Sequence, residues 1–321
     1  MKQDTTLSKH FVTGGAGFIG SHLVDRLINE DNKVTVYDNL ASGRKENIKR
    51  HQGKANFNFI QGDLLDFDSL KEAMKGHEVV WHFGANSDVR RGNKDTDLDL
   101  KNGSMATRNV LEAMRQNGVG KILFSSSATV YGDVPPVAIS ETFGPPLPIS
   151  LYGAAKLASE GLISAYCHLF NMQAWIFRFG NVLGARMRHG VVYDFIQKLR
   201  RNPKELEILG DGNQEKNYFL VEDCIDGMFF ALFHSDNQCD VFNLGCESPV
   251  KVSAIAQSVA EEMGLKDVKF RYTGGKRGWP GDAPYIQFDM GKIARLGWKA
   301  SHTSAEAVRI ATRRLIETIK D

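Results

Sequence analysis

A glycine-rich turn near the start of the chain restricts the possible folds more than any other feature. Residues 13–20 read TGGAGFIG, with glycines at 14, 17 and 20 in the spacing GxxGxxG. The apolar residues 10–13 before the turn predict a strand, and the amphipathic residues 18–30 after it predict a helix. Glycine permits a tight turn there and lets the helix pack closely on the strand. The segment therefore predicts the first strand–helix unit of an α/β domain.

Acidic residues follow the second and third predicted strands. The second strand, KVTVYD at 33–38, ends in Asp38 at about the spacing expected after a dinucleotide-binding glycine turn. A carboxylate there accepts hydrogen bonds from the adenosine ribose and repels a 2′-phosphate, which favours NAD over NADP. Asp63, after the third strand at 57–61, is placed to meet the adenine edge. These positions predict NAD as the cofactor, with its pyrophosphate at the helix start.

Strand and helix patterns alternate through the first half of the chain, which predicts a parallel sheet covered on both faces. Further strands are predicted at 78–82, 121–126 and 173–178, with helices at 69–74, 104–117 and 152–170. Beyond residue 181 strand and helix patterns alternate less regularly. We expect an α/β fold, a Rossmann-type doubly wound parallel sheet with a smaller α+β substrate-binding lobe. Residues 1–180 would bind the cofactor and carry the catalytic residues, and residues 181–321 would bind the substrate, with some strands and helices returning to the sheet.

Composition excludes several classes of protein. The chain has 40 basic and 38 acidic residues, a net charge of +2, which is too even for a dedicated nucleic-acid binder. No apolar run approaches the roughly 20 residues needed to span a bilayer. The four cysteines form no CxxC pair and the nine histidines no HExxH motif, so neither a disulfide framework nor a metal site is predicted. We expect a cytoplasmic protein without nucleic-acid or membrane partners.

A tyrosine and a lysine with catalytic spacing open the predicted helix at 152–170. Tyr152 and Lys156 are four residues apart, so both side chains lie on one helix face. Tyrosine is a poor base at neutral pH, and lowering its pKa by ~3 units requires about 4 kcal/mol of phenolate stabilisation. Lys156 and an oxidised nicotinamide ring could supply it. Ser127, just past the strand at 121–126, could bridge the substrate oxygen and the phenol.

With these motifs the chain resembles the extended short-chain dehydrogenase/reductases, and within them the UDP-glucose (UDP-galactose) 4-epimerases. The matching segments cover nearly the whole chain: TGGAGFIGSHLVDRL at 13–27, YDNL at 37–40, GD at 62–63, HFGA at 82–85, SSSATVYGD at 125–133, YGAAK at 152–156, FRFGNVLG at 177–184, GDGNQEKNYFLVEDC at 210–224 and RGWPGD at 277–282.

The resemblance implies an isomerase that reversibly inverts C4 of a UDP-hexose, by hydride transfer to tightly bound NAD+ and back through a 4-keto intermediate. It implies catalytic roles for Ser127, Tyr152 and Lys156, with Tyr152 as base and acid. The cofactor contacts it implies are Gly14, Gly17, Phe18, Ile19, Gly20, Asp38, Asn39, Ser42, Gly43, Asp63, Leu64, Phe83, Ala85, Asn102 and Ser125, alongside Tyr152 and Lys156. The substrate contacts it implies are Ser127, Asn181, Arg186, Val192, Lys216, Tyr218, Arg277 and Asp282.

Two departures from related patterns bear on the reaction and the substrate. Sister 4,6-dehydratases place Asp-Glu after the catalytic Ser/Thr, because water elimination needs a further acid and base, and related decarboxylases need a glutamate there. Here Ala128 and Thr129 follow Ser127, which disfavours both reactions. Lys216 stands where the family usually has an arginine that contacts the nucleotide. A lysine keeps the positive charge but cannot form the paired hydrogen bonds of a guanidinium. Arg186, Arg188 and Arg277 are the other candidates for diphosphate contact.

Three alternatives stay open from the sequence. The first is 4-epimerisation of UDP-N-acetylglucosamine or UDP-glucuronate, since the family's gate against bulky sugar substituents falls near Tyr285 and Ile286. The second is a net oxidoreductase that exchanges NAD(H) freely. The third is a non-catalytic dinucleotide-binding protein of the same fold. The resemblance also implies a homodimer formed through the helices predicted at 104–117 and 152–170.

Overall fold

The computed structural model describes residues 8–319. Its strands are β1 Lys9–Thr13, β2 Lys33–Asp38, β3 Phe57–Gln61, β4 Val79–His82, β5 Lys121–Ser127, β6 Ala138–Ile139, β7 Gln173–Phe179, β8 Asn181–Leu183, β9 Glu205–Ile208, β10 Glu215–Leu220, β11 Cys239–Leu244, β12 Pro249–Lys251, β13 Lys269–Tyr272 and β14 Tyr285–Phe288. Its α-helices are α1 Phe18–Asn29, α2 Lys45–Ile48, α3 Phe67–Ala73, α4 Asp97–Asp99, α5 Ala106–Asn117, α6 Leu151–Phe170, α7 Val191–Arg201, α8 Val221–His234, α9 Val252–Glu262, α10 Gly291–Leu296 and α11 Ser304–Thr318. Short 3-10 turns occupy Lys49–His51, Val89–Asn93 and Ala128–Tyr131, and a π-helical segment, Leu100–Met105, joins α4 to α5.

The main sheet confirms the predicted doubly wound parallel fold. Its seven strands run in the order β11-β7-β5-β4-β1-β2-β3. Strand β1 pairs in parallel with β2 on one side and with β4 on the other, so the strand order reverses at this point. Ligands of doubly wound sheets bind beyond the carboxyl ends of the strands at such a reversal. The glycine-rich turn follows β1 at that edge.

The chain folds into two compact units that alternate along the sequence. The first contains the residues up to Ser126 together with Ala155–Ile176 and Ser235–Asp240. The second contains Ser127–Ala154, Phe177–His234 and the residues from Val241 onward. The segments 127–154 and 177–180 of the predicted first domain thus belong to the second unit, and 235–240 of the predicted second domain belongs to the first. The simple division at residue 180 stays a prediction about domains.

The first unit has a closely packed apolar core on the sheet. Helix α1 buries Leu23, Val24 and Leu27 completely, in agreement with the predicted apolar face of this helix. Phe11 of β1 and Trp81 of β4 are also fully buried. These buried side chains fix where β1 and α1 lie, and with them the turn that joins the two elements.

The second unit has two small sheets of its own. Strand β10 is central in one of them, which runs β12-β10-β14-β6 with β8 also paired to β10. Strands β13 and β9 form the other. Helix α11 begins with a capping box, in which the Thr303 side chain accepts from the Glu306 backbone and the Glu306 side chain accepts from the Thr303 backbone. Strand β10 carries Lys216 and Tyr218, two of the predicted substrate residues.

None of the helices between residues 8 and 319 has the length and apolar character needed to cross a membrane.

Candidate active site

Two glycine positions at the junction of β1 and α1 have no room for a larger residue. Gly14 has φ = +67°, and a Cβ atom there would lie 2.8 Å from the Gly84 backbone nitrogen. A Cβ atom on Gly20 would lie 2.4 Å from the Gly14 carbonyl oxygen. Within the described residues no side chain caps the start of α1 at Gly17. The backbone N–H groups of the first helical turn are therefore available to an anionic group, which fits the pyrophosphate of a dinucleotide.

Asp38 binds the turn directly. One carboxylate oxygen accepts from the Ala16 backbone nitrogen at 3.0 Å and the other from the Leu40 nitrogen at 2.8 Å. Burial raises the pKa of Asp38, and the two backbone hydrogen bonds lower it. Nearby, Asn39 donates to the Asp63 carboxylate at 3.1 Å, so the residues that follow β2 and β3 come together. Asp38 therefore holds the glycine turn, and its contact with a ribose stays a prediction.

Other predicted cofactor residues surround these elements. Leu64 lies against Gly84, and its carbonyl accepts from Asn109 at 3.0 Å. The Phe83 nitrogen donates to the Thr13 carbonyl at 3.1 Å beyond β4. Asn102 is half-buried in the π-helical segment, a kind of irregularity that often occurs at functional sites. Phe18, Ile19, Gly43 and Ala85 are half-buried, whereas Ser42 is exposed. The roles assigned to these residues remain predictions.

Lys156 is almost completely buried, with 3% of its surface exposed. Its Nζ donates to the Ser125 carbonyl at 2.5 Å and lies 4.7 Å from the centroid of the Phe124 ring. Burial lowers the pKa of Lys156 to about 7, although the carboxylates of Glu160 and Asp99 raise it. The ammonium is thus held against the end of β5 in surroundings where its charge depends on nearby acids.

The turn after β5, which begins at Ser127, lies against the first turn of α6. Ser127 ends the strand and caps the 3-10 turn Ala128–Tyr131, accepting from the Thr129 nitrogen at 3.2 Å. Gly153 lies against this turn, since a Cβ atom there would be 2.6 Å from the Thr129 carbonyl oxygen. Tyr152 therefore lies in the first turn of α6 beside the Ser127 turn, and Lys156 follows one helical turn later on the same face. The catalytic roles of Ser127, Tyr152 and Lys156 stay predictions.

The hydroxyl of Thr129 is a further polar group at this turn. Its Oγ1 is buried and has no hydrogen-bond partner within residues 8–319. Ala128 beside it is 8% exposed and carries no polar side chain. The pair following Ser127 therefore offers one hydroxyl group but no carboxyl group.

Four of the predicted substrate residues lie on or beside β10. Lys216 donates to a carboxylate oxygen of Asp282, a pair with side-chain exposures of 18% and 6%. Arg277 donates to the Asp282 carbonyl and to the Asp133 carboxylate, both at 2.5 Å. Tyr218 is buried in β10, and burial raises the pKa of its hydroxyl. These cations are paired with carboxylates, and an incoming diphosphate would have to compete with them.

The remaining predicted substrate residues are more scattered. The Asn181 side chain donates to the Asn217 carbonyl at 3.0 Å where β8 pairs with β10. Arg186 has φ = +70° in the loop before α7, and Val192 is fully buried within that helix. The substrate roles of all these residues stay predictions.

Sequence reasoning missed three acidic residues that the fold places among the predicted ones. Asp133 pairs with Arg277, Asp99 lies near Lys156, and Glu160 is buried one turn after Lys156. Glu160 has the same spacing from Lys156 as Lys156 has from Tyr152, which is a signal the sequence does contain. Among the described residues no group of three or more His, Cys, Asp or Glu side chains is placed to hold a metal ion.

Comparison with known proteins identifies the family and the fold of this chain. Residues 10–245 match the model of the NAD dependent epimerase/dehydratase family. The chain belongs to this family, and the predicted NAD cofactor is confirmed at that level. The resemblance to extended short-chain dehydrogenase/reductases and UDP-glucose 4-epimerases is likewise confirmed.

Individual relatives are similar over nearly the whole chain. A putative UDP-glucose 4-epimerase of Methanocaldococcus jannaschii is 33% identical over 304 residues, covering 93% of this chain and 95% of the relative. A crystal structure of a UDP-galactose 4-epimerase is 40% identical with a TM-score of 0.87, covering 97% of this chain and all of the other. A UDP-N-acetylglucosamine 4-epimerase of Methanobrevibacter ruminantium M1, 28% identical, also has a TM-score of 0.87, with coverages of 97% and 99%.

Proposed function

We propose that the protein is a UDP-glucose/UDP-galactose 4-epimerase. The observation that carries the proposal is the turn after β5. Ser127 and the start of α6 with Tyr152 lie together there, and the two residues that follow Ser127 supply no carboxyl group. Elimination of water or carbon dioxide needs a further acid or base at this place, whereas inversion at C4 does not. Similarity to epimerases named for UDP-glucose and UDP-galactose supports the same reaction.

Each catalytic residue has a defined task in this proposal. Tyr152 takes the proton of the sugar 4-hydroxyl and later returns it, and the Ser127 hydroxyl holds the same oxygen. Lys156 stabilises the phenolate with its positive charge, because a nearby opposite charge favours the ionised form. Bound NAD supplies the hydride acceptor and then the hydride donor. The nucleotide end of the substrate would be held near β10, where Lys216 and Arg277 lie.

The assay uses the purified protein with UDP-galactose and no added NAD, and follows the anomeric proton signals by NMR. We expect UDP-glucose to form until the two sugars reach equilibrium. Tyr152→Phe should lower kcat by about 10²–10⁴-fold, the usual contribution of a general acid–base group. Tyr166→Phe is the matched control, because Tyr166 lies on the same helix and its hydroxyl contacts Glu112 at 3.2 Å. We expect that control to keep wild-type turnover.

Several outcomes would overturn the proposal. No conversion of UDP-galactose, with or without added NAD, would exclude it, and a fully active Tyr152→Phe variant would exclude the mechanism. Accumulation of reduced cofactor in proportion to substrate would indicate a net oxidoreductase. The same assay with UDP-N-acetylglucosamine tests the second candidate function, which the similarity to the Methanobrevibacter enzyme supports.

The proposal includes a cytoplasmic location and a homodimer. All four cysteines, which lie within the described residues, are free, in keeping with a reducing compartment. Leu169 at the end of α6 is 73% exposed and Met105 before α5 is 50% exposed, which supports an apolar contact through these helices. Sedimentation of the purified protein tests the dimer, and a monomer at micromolar concentration would exclude it.

A further inference from the structure

Helix α6 has a second charged residue that is bound at the end of β5. Its partner there is the neighbour of the residue that binds Lys156. Glu160 is 6% exposed, and its carboxylate accepts from the Ser126 hydroxyl at 2.5 Å. Lys156 Nζ donates to the carbonyl of the preceding residue, Ser125, at 2.5 Å. Two consecutive residues of the strand therefore each hold one charged side chain of the helix. The two charges are opposite and one helical turn apart.

The groups that face Lys156 come from four elements of the fold. Glu160 on its own helix and Asp99 on α4 are acidic, His82 on β4 is fully buried, and the Phe124 ring of β5 lies under the ammonium. His82 is neutral, because burial lowers its pKa to about 3. Burial raises the pKa of Asp99, and its hydrogen bond from Asn86 lowers it. Of these two carboxylates, Glu160 raises the pKa of Lys156 more than Asp99 does.

Burial without a counter-charge lowers the pKa of an ammonium, because the lost hydration is not replaced. We propose that Glu160 is a positioning residue for Lys156, whose carboxylate, fixed by Ser126, supplies the counter-charge that keeps the buried ammonium charged and in place on β5. The consequence for catalysis rests on the proposed function, in which only the charged lysine stabilises the Tyr152 phenolate. The effect on Lys156 itself does not depend on that function.

The test measures the titration of Lys156 directly in the purified protein. Lysines labelled with 13C at Cε are followed by proton–carbon NMR from pH 5.5 to 10, and Lys156→Met assigns the signal. In Glu160→Gln we expect the pKa of Lys156 to fall by about one unit, because the negative charge of Glu160 raises it in the wild-type protein. Asp99→Asn should lower it by less. Gln keeps an oxygen that can accept from Ser126, so the hydrogen bond is retained while the charge is removed.

Glu112→Gln is the matched control. Glu112 is also a well-shielded helical carboxylate, with 13% side-chain exposure, but it pairs with Arg115 on α5. It should leave the titration of Lys156 unchanged. An unchanged pKa of Lys156 in Glu160→Gln would overturn the proposal. Should that variant fail to fold, Ser126→Ala takes its place. Without the Ser126 hydroxyl the Glu160 carboxylate is no longer fixed, so the pKa of Lys156 should fall by a smaller amount. An unchanged pKa of Lys156 in Ser126→Ala would equally overturn the proposal.

Kinetics separate this inference from the proposed function. If UDP-galactose is a substrate, the alkaline limb of the kcat profile should move to lower pH in Glu160→Gln and stay in place in Glu112→Gln. A purely structural role would lower activity at all pH values without moving that limb. If no UDP-sugar is converted, the proposed function fails while the NMR titration still decides the role of Glu160.

Discussion

Replacing Gly153 with alanine should separate the start of α6 from the turn that carries Ser127. Gly153 is the third residue of the helix, directly beside Tyr152, and it is buried. Its Cβ position would lie 2.6 Å from the Thr129 carbonyl oxygen, whereas ordinary contacts begin at 3.4 Å. The obstacle is a backbone atom and cannot rotate away. The first helical turn must therefore retreat by about 0.8 Å.

Two opposing effects set the change in stability of Gly153→Ala, and the displacement of the helix sets the change in kcat. Alanine gains about 1 kcal/mol over glycine in a helix, and overpacking costs about 1–3 kcal/mol, so the free energy of unfolding should fall by about 0–2 kcal/mol. A misplacement near 1 Å in an active site can lower turnover by about 10²-fold. We expect Gly153→Ala to lower kcat by roughly 10–100-fold in a protein that still folds.

Gly161→Ala on the same helix is the matched control. No atom lies within 4 Å of the Cβ position of Gly161, so the substitution should raise stability by about 0.4–1 kcal/mol and leave kcat unchanged. The measurements are urea unfolding and turnover of UDP-galactose for both variants. If Gly153→Ala keeps wild-type kcat and gains the same stability as Gly161→Ala, then the close contact with Thr129 does not set the position of Tyr152.

Two further predictions concern the first unit. Gly20→Ala places a Cβ atom 2.4 Å from the Gly14 carbonyl oxygen, so the purified variant should lose most of its bound NAD, whereas wild type and Gly161→Ala should retain theirs. Chromatography of the released cofactor measures the NAD content, and an equal content in all three proteins would contradict this prediction. Burial lowers the pKa of His10 to about 4 and of His82 to about 3, so the unfolded chain takes up a proton at each when the pH falls below 6.5. The free energy of unfolding, measured with urea, should therefore decrease as the pH falls from 6.5 to 4, and it should decrease less steeply with pH in His82→Gln. An equally steep decrease in that variant would refute the lowered pKa of His82.

Local sequence patterns indicate six of the seven strands of the main sheet and are insufficient for the small sheets. Strands such as β2 show an unbroken run of β-branched and aromatic residues, and the structure places it at the predicted residues 33–38. Strand β6 has only two residues, and it exists because Ala138 pairs with Gln287, far along the chain. Such a strand has no periodicity of its own to detect. The same holds for the assignment of 127–154 to the second unit, which depends on packing between residues distant in sequence.

The candidate site divides in a similar way. The pairs that follow helical spacing, such as Tyr152 and Lys156, could be predicted because the spacing itself brings them to one face. The ion pair between Lys216 and Asp282 joins residues 66 positions apart, and no local pattern indicates it. The π-helical segment around Asn102 also has no sequence signal, although it shapes the start of α5. Chemistry carried by one helix was therefore predictable, whereas partners supplied by the fold were not.

Asp38 and Lys156 each combine a structural bond with a predicted chemical role. Asp38 accepts two backbone N–H bonds that hold the glycine turn, and Lys156 donates to the end of β5. Truncating either side chain would remove a buried hydrogen bond as well as a charge, and a buried unpaired group is itself destabilising. A loss of activity on truncation would thus have two causes. Only substitutions that keep shape and hydrogen bonding, or that act on the charge from a neighbouring residue as Glu160→Gln does, separate the chemical role from the structural one.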